Sequence, residues 1–558
     1  MQTQVKVNVD AVAGRMAALE AELTAVKAER DELRASRDRL LLEVTLLRRR
    51  IFVAKAERVD TAQLELEFKE KLEALDKLSG LSGMPEPRTQ GTQPRSPRQK
   101  PTGRRDLRKA LLEEERVEIS DELYEGLVAQ GKAKRVGFEE SCKIAYQRGG
   151  LRRLVIARVK YQAFDSRGET AIETSPMPAE TFERSLAAPS MLARVATEKH
   201  CDGLPLFRIE DRLARDGLRV DRGTMCRWLE DLGATLGTTV VRAAWAEALQ
   251  TAFCLATDAT GVAVQPEPSP DGKRQACRRG HYFVVIADRD HIFFHYTPRE
   301  TSAVVAEMLG CYAGYIQADA KSVYDILFRE PDDPPPDFES ERIEVGCWSH
   351  ARTKFWEAAV AKSVAAREGL ARIGRIFAVD RQFKGKPPDA IKRLRNLHLR
   401  PHLEAFFTWA AEQYSLVEGE RGYLRTALGY VVRQKVPLTR VLDDGRLVLD
   451  NNRSERELRR IAIGRKAWLF VGSDAHASCA GHLFSMIASA RLHRLDPETY
   501  LRDIIRVLAH WPKDRYIELA PKYWAATRER LNPAELAKEI GYLTVPPPLD
   551  VPPALKIP

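Results

Sequence analysis

Residues 251–264 read TAFCLATDATGVAV, residues 281–290 HYFVVIADRD and residues 291–297 HIFFHYT. Each is a short run of aromatic and β-branched residues bounded by turn formers, the pattern of consecutive strands. Working outward, SAVVAEMLGCY (302–312) reads as helix, GYIQADA (314–320) and RIEVGCW (342–348) as further apolar runs, and DDPPPD (332–337) as a loop. Residues 350–445 look almost wholly helical, and LVLDNNRSERELRRIAIG (447–464) opens another helix. The order is three strands, helix, strand, loop, strand, a long helical block and a closing helix. That order predicts an α/β fold carrying an insertion.

At 558 residues the chain has room for roughly three to five domains. A 44% hydrophobic share beside 30% charged residues is that of a soluble globular protein. With no long uncharged apolar run, no apolar signal core at the start, and scattered cysteines without a CxxC pair, the expectation is a reduced cytoplasmic protein without a membrane span. Lys and Arg number 89 against 79 Asp and Glu, a formal net charge of +10. The excess is focused: residues 81–110 carry a net +6 and residues 451–470 a net +4. Such concentration points to a polyanionic partner, and nucleic acid is the commonest.

From Met16 to Ile51 apolar residues recur in heptads, with Leu19, Val26, Leu33, Leu40 and Leu47 at one seam position and Met16, Leu23, Val44 and Ile51 at the other. A coiled coil and self-association are expected, the alternative being one amphipathic helix folded onto its own domain. Residues 80–105 are rich in Gly, Pro, Ser, Thr and Arg, which predicts a flexible linker, acting either as a tether or as a basic arm along DNA. Short apolar runs such as LRRLVIARVKYQAF (151–164) are expected as strand, mixed with helix, over 110–180. LPLFRIEDRLARDG (204–217) and GTMCRWLEDLGATLG (223–237) read as two helices with a tight turn, the outline of a helix-turn-helix. An ordinary packed pair is equally compatible, because residues 201–237 are not basic. The Pro-rich tail from Pro546 is expected extended and unpacked.

Among 79 acidic residues, three stand out by position. Asp258 follows the apolar run FCLA, Asp319 follows YIQA, and Glu455 lies in a first helical turn among arginines. Gathered together, such carboxylates would repel one another unless cations lay between them, and hard oxygen ligands suit Mg²⁺ or Mn²⁺. The local alternatives are turn or cap roles for the two aspartates, and for Glu455 a capping box with Asn452.

DATGVAV (258–264), GYIQADA (314–320), CWSHARTKF (347–355), LDNNRSER (449–456), IGRKAWLFVGSD (463–474) and DPETYLRDII (496–505), in this order, resemble the transposases of the insertion sequence 66 family. The matched stretch runs from about residue 186 to 526, and IFVAKAERVDTAQLELEF (51–68) resembles that family's amino-terminal part. The resemblance implies a multidomain α/β fold: an RNase H-like catalytic core interrupted by an all-helical insertion, an N-terminal coiled coil and a helix-turn-helix-like domain. It implies a DDE triad at Asp258, Asp319 and Glu455 holding two Mg²⁺ or Mn²⁺ ions for phosphoryl transfer. Water attack would free the 3′ ends of the element, which would then attack target DNA.

Arg456, Arg459, Arg460, Arg465 and Lys466, with Arg104 and Arg105 of the linker, are the expected DNA contacts, although a solvated basic face would look the same. Cys347, Trp348 and His350 fit the signature preceding the insertion. Two ligands do not make a tetrahedral zinc site, so packing is expected there. The chain also departs from the family's four-cysteine zinc segment, since residues 110–185 contain only Cys142. Zinc is therefore not expected. The expected partners are transposon ends, target DNA, a second copy of the chain and small accessory proteins, in a bacterial cytoplasm at the nucleoid.

The expected division is a coiled coil over 10–79, a basic disordered linker over 80–109, a small domain over 110–185 at the family's zinc-binding position, and the helix-turn-helix-like domain over 186–245. The core follows in two parts, 246–349 and 446–495, around the helical insertion 350–445, with a C-terminal helical region over 496–540 and the tail over 541–558. A catalytically silent, DNA-binding or regulatory derivative of a transposase is the runner-up, and a coiled-coil scaffold the third reading.

Overall fold

The structure, a computed structural model, describes residues 23, 26, 113–147, 150–164, 170–266, 275–329, 342–361 and 363–550. The chain divides into two units, Met1–Thr102 and Gly103–Pro558. In the first, Leu23 and Val26 are helical and more than half exposed. The rest of the heptad region and the basic linker, with Arg104 and Arg105, lie outside the described residues, as does the DDPPPD loop. Everything below concerns the second unit.

A four-stranded sheet opens it. Strand β1 (Glu113–Ile119) leads through helix α1 (Glu122–Ala129) to two long strands, β2 (Ala133–Gln147) and β3 (Gly150–Phe164), and then β4 (Thr170–Thr174). Strands β2 and β3 pair antiparallel along their length, while β1 pairs parallel to the first half of β3 and β4 antiparallel to its end. The sequence LVIA at 154–157 is fully apolar because both faces of β3 are buried there.

Helices α2 (Pro189–His200), α3 (Leu206–Arg215) and α4 (Arg222–Leu236) follow; a π-helical turn, Gly237–Val241, carries α4 into α5 (Arg242–Thr251). The second sheet then forms from β5 (Cys254–Val264), β6 (Arg278–Ala287), β7 (His291–Thr297), β8 (Gly314–Gln317) and β9 (Arg342–Val345), with α6 (Ser302–Leu309) between β7 and β8. Its order is β7-β6-β5-β8-β9. The first three strands are antiparallel, and β8 and β9 run parallel to β5. The strand, helix and insertion order matches the reading of the sequence.

Strand β6 shows why its sequence is continuously apolar. Tyr282, Val284 and Ile286 enter one hydrophobic cluster, and Phe283, Val285 and Ala287 enter the other, on the opposite face. A two-residue period thus feeds two cores, because both faces are covered.

Among the described residues between 348 and 442 the elements are all helices: α7 (Trp348–Val360), α8 (Val364–Arg381), α9 (Pro388–Leu394), α10 (Arg400–Leu416), α11 (Tyr423–Arg433) and α12 (Lys435–Thr439), with short helical turns between some of them. They close around a cluster of their own that includes Trp348, Phe355, Phe406 and Phe407. The chain returns to the sheet with α13 (Asn452–Trp468) and α14 (Asp474–Leu492), followed by α15 (Pro497–Val507), α16 (Pro521–Glu529) and α17 (Pro533–Ala537).

Helix α14 solves two problems at once. Edge strand β7 would expose free amides, and Ser489 Oγ accepts from Ile292 N at 2.9 Å while Ser485 Oγ accepts from Phe294 N at 2.8 Å. One turn earlier is Gly481, where a Cβ would come within 2.6 Å of Phe294 O, so the close approach needs glycine. On its other side α14 crosses α4 at Gly233, where a Cβ would stand 2.4 Å from Cys479 O.

The tail differs from its reading. Residues 541–550 are extended but pinned: Leu543 and Val545 pack on the main core, Arg515 donates to Pro546 O at 2.9 Å, and Leu549 N donates to Glu518 at 3.2 Å. Composition suggested an unpacked end, but Pro-rich backbone keeps free carbonyls, and buried arginines supply the donors. Residues 551–558 lie outside the described residues. Among the described residues, no helix is long and apolar enough to cross a membrane.

Candidate active site

Parallel strands carry functional groups beyond their carboxyl ends, in the crevice where connections diverge. Strand β8 pairs with β5 only at Cys254–Ala256. Asp258 lies just past that point. It is not at a strand end, as its turn-like context suggested, because β6 continues to pair with β5 and sets Val284 opposite it. Asp319 follows β8 by two residues, and Lys321 N donates to its carbonyl at 2.7 Å.

Glu455 is in the first turn of α13. The capping box that was the alternative role for Glu455 is absent: the cap residue is Asn451, Asn452 is already helical, and no side chain caps the end. The Glu455 side chain is exposed and makes no cap bond to its own helix start.

The three carboxylates sense one another. Burial pushes the Asp258 carboxyl up and Asp319 adds to this, while the amide of Ala259, Lys321 and His350 oppose it. Burial likewise raises Glu455; His350 lowers it, and Asp258, Asp450 and Asp319 raise it further. His350 Nε2 stands 3.7 Å from Asp319 Oδ2, an ion pair only when the imidazole is protonated. Lys321 is turned to Glu300, 3.2 Å away. The site is thus acid-rich, with its cations few or committed elsewhere. Among the described residues no three His, Cys, Asp or Glu side chains converge closely enough to ligate one ion. The donor set itself, three carboxylates of which Asp258 and Glu455 are disfavoured as anions by burial and by their acidic neighbours, has the chemistry a hard divalent cation requires.

The residue that joins the parts is Asn451, which sequence reading missed. It is 1% exposed. Its Nδ2 donates to Thr257 O at 2.7 Å, its backbone N to Cys347 Sγ at 3.2 Å, and its Oδ1 accepts from Ser454 at 2.6 Å. One residue, through its side chain and its backbone amide, therefore ties the strand carrying Asp258, the start of the insertion and the helix carrying Glu455. Nearby, Gln317 Nε2 donates to Val448 O at 2.9 Å, and Trp348 N to Leu449 O at 2.9 Å. The doublet NN in LDNNRSER was the available signal, but it looked like a cap.

Cys347 and Trp348 are both fully buried, and Trp348 Nε1 donates to Leu438 O at 2.9 Å. Only His350 of that signature reaches the acids.

The expected DNA-contacting cations separate. Arg459 is exposed with no partner among the described residues, and Arg456 is exposed, bonding only Asn452 O of its own helix at 3.3 Å. Lys466 is exposed. Arg460 is paired with Glu457 at 2.8 Å, and Arg465 donates to Thr260 Oγ1 and Gly261 O on β5. At 100° per residue, Glu455, Arg459 and Lys466 fall on one stripe of α13.

A profile of the Transposase IS66 family matches residues 184–479, and one of the IS66 C-terminal element matches residues 485–522. Uncharacterized protein y4qI of Sinorhizobium fredii (strain NBRC 101917 / NGR234) is 25% identical over 379 residues, covering 66% of this chain and 68% of its own. Uncharacterized protein y4hP of the same strain is 24% identical over 397 residues, covering 67% and 69%.

Proposed function

The chain belongs to the Transposase IS66 family, a family of transposition and hence of DNA partners, and from that premise we propose that it is a DDE transposase. It cleaves the DNA ends of an insertion sequence and joins the 3′ ends to target DNA. The observation that carries this reading is that Asp258, Asp319 and Glu455, remote in sequence, lie within each other's electrostatic reach at one end of the second sheet.

The order β7-β6-β5-β8-β9, three antiparallel strands continued by two parallel ones, supports an RNase H-like core over 246–349 and 446–495. The separate hydrophobic cluster of the helices supports an insertion over 350–445. On this reading 186–245 is a helix-turn-helix-like DNA-binding domain, and the exposed seam residues Leu23 and Val26 favour a dimer through a coiled coil.

Asp258, Asp319 and Glu455 would hold two Mg²⁺ or Mn²⁺ ions. When bound, these would neutralise charge on the reacting phosphate and lower the pKa of the attacking water or 3′-hydroxyl. The chain's own residues do the positioning. Asn451 fixes the strand of Asp258 against the helix of Glu455, His350 steadies the Asp319 carboxylate, and Arg456 and Arg459 meet DNA phosphates beside the acids. The test is incubation of the full chain with labelled element ends and Mn²⁺. Cleavage supports the reading; binding without cleavage favours a silent derivative, and the absence of both binding and cleavage favours a scaffold.

A further inference from the structure

A cavity of about 480 Å³ lies away from the acids, between α3 and α4 on one side and the loop joining α13 to α14 on the other. Its walls are mainly apolar and aromatic, with Trp468, Phe470, Tyr282 and Phe484 among them. Lys199 enters the same space. Its ammonium stands 5.8 Å from the Trp468 ring centroid, and no carboxylate pairs with it among the described residues. Burial pushes the pKa of this amine down, with Cys226 opposing. At one end is a polar row: Cys226 Sγ is 3.0 Å from His476 Nε2, Glu230 lies 3.3 Å from the same nitrogen, and Ser473 Oγ is 2.9 Å from Nδ1.

The mouth is built as carefully as the interior. Leu469 has φ +67, in the left-handed region that a leucine adopts only when its surroundings force it. Beyond it, Val471 N donates to Ala263 O at 2.9 Å, and Gln265 N returns to Val471 O at 2.8 Å, so the loop is locked to the end of β5. This locked loop leaves Phe470 45% exposed, and across the opening Phe207 is also 45% exposed. The stripe of α13 that begins at Glu455 and includes Arg459 and Lys466 leads toward this loop. At about 1.5 Å per residue, the helix places Trp468 about 20 Å from Glu455. That span matches about six phosphates of one DNA strand.

Resting on the DNA reading above, we propose that this cavity receives one unstacked nucleobase of the bound strand, its flat face on the aromatic wall of Trp468 and Phe470 and its edge toward the Lys199 ammonium. A base has two apolar faces and an acceptor-rich edge, and the cavity offers aromatic surface, an unpaired donor and a row of polar groups. Enzymes that unstack a base hold it in this way, between rings and edge-reading groups. At about 300–1,000 Å³, ligand sites of this size take a molecule as large as a nucleoside.

The test uses the full chain and two DNAs of one sequence, a fully paired duplex and a forked duplex with unpaired bases at one end. Phe470→Ala and Phe207→Ala change half-exposed side chains on opposite walls. If one of them shifts the melting temperature, the other carries the test. Each is expected to weaken binding of the forked duplex about tenfold and of the paired duplex less than about twofold. 2-Aminopurine among the unpaired bases should brighten on binding the wild type and respond less with Phe470→Ala. Equal losses on both DNAs, or no loss on either, would overturn the base pocket while leaving the DNA reading intact. A wild type that binds neither DNA would overturn both.

Discussion

Two groups of acids flank the second sheet, and they are opposites. Glu247 of α5 is almost fully enclosed, and its two oxygens meet His291 at 2.6 Å, Lys522 at 2.5 Å and Tyr523 at 2.7 Å. Burial alone would raise this carboxyl, but those hydrogen bonds hold it down at about 2. Asp258, which is partly buried, and Glu455, which is exposed, instead face other carboxylates, and their pKa values move up. The difference separates an acid that stabilises the fold from acids kept at a cost to it. A partnered carboxylate is finished. Carboxylates set mainly against other carboxylates are not, and on the proposed reading a divalent cation completes them.

The comparison can be broken most sharply at Asp258. Asp258→Asn should lower cleavage of end DNA about a thousandfold while DNA binding persists and the melting temperature holds or rises. A variant that still cuts normally would remove Asp258 from the chemistry. In the other group, Glu247→Gln should cost about 3 kcal/mol of stability in denaturant unfolding, because it leaves the buried His291 and the half-buried Lys522 without the carboxylate they share. Because the Glu247 pKa is depressed on folding, its contribution is present above its ordinary value of 4.5 and is lost as pH falls toward about 2. A wild-type stability curve flat across that window would argue against the partnering.

Asn451 lies between the two cases, being a neutral residue that holds an acid site together. Asn451→Ala should reduce cleavage about 10- to 100-fold, with Asp258 and Glu455 intact; activity within error of the wild type would make Asn451 a packing residue only. The smallest effect is expected on the cation stripe. Arg459→Ala should reduce the salt dependence of DNA binding by about one ion, whereas Arg465→Ala, already engaged by β5, should leave the slope unchanged. Equal slopes for the two variants would erase the distinction between free and committed arginines.

Much of this was legible in the sequence where the cause is local. The runs FCLATDATGVAV and HYFVVIAD announce strands because both faces of those strands are buried, and the helical block shows through its length. Asp258 and Asp319 stood out by the apolar runs before them and Glu455 by the arginines around it, while their grouping as a triad came from the resemblance to the family. What escaped depends on contacts between remote segments. Asn451 bonds Thr257, 194 residues away, and nothing near it distinguishes that role from a helix cap. Arg465 looks like Arg459 in sequence, and only the packing of α13 on β5 commits it, whereas Arg460 is held by Glu457 of its own helix. The parallel pairing of β1 with β3 and the pinning of the Pro-rich tail are long-range in the same sense.

The account rests on Asp258, Asp319 and Glu455 being a site for divalent cations. Calorimetric titration of Mn²⁺ into the full chain, beside the Asp258→Asn and Asp319→Asn double variant, measures that directly. Binding by the wild type that disappears in the variant is the predicted result. No binding by the wild type, or binding that the double variant retains in full, would contradict it.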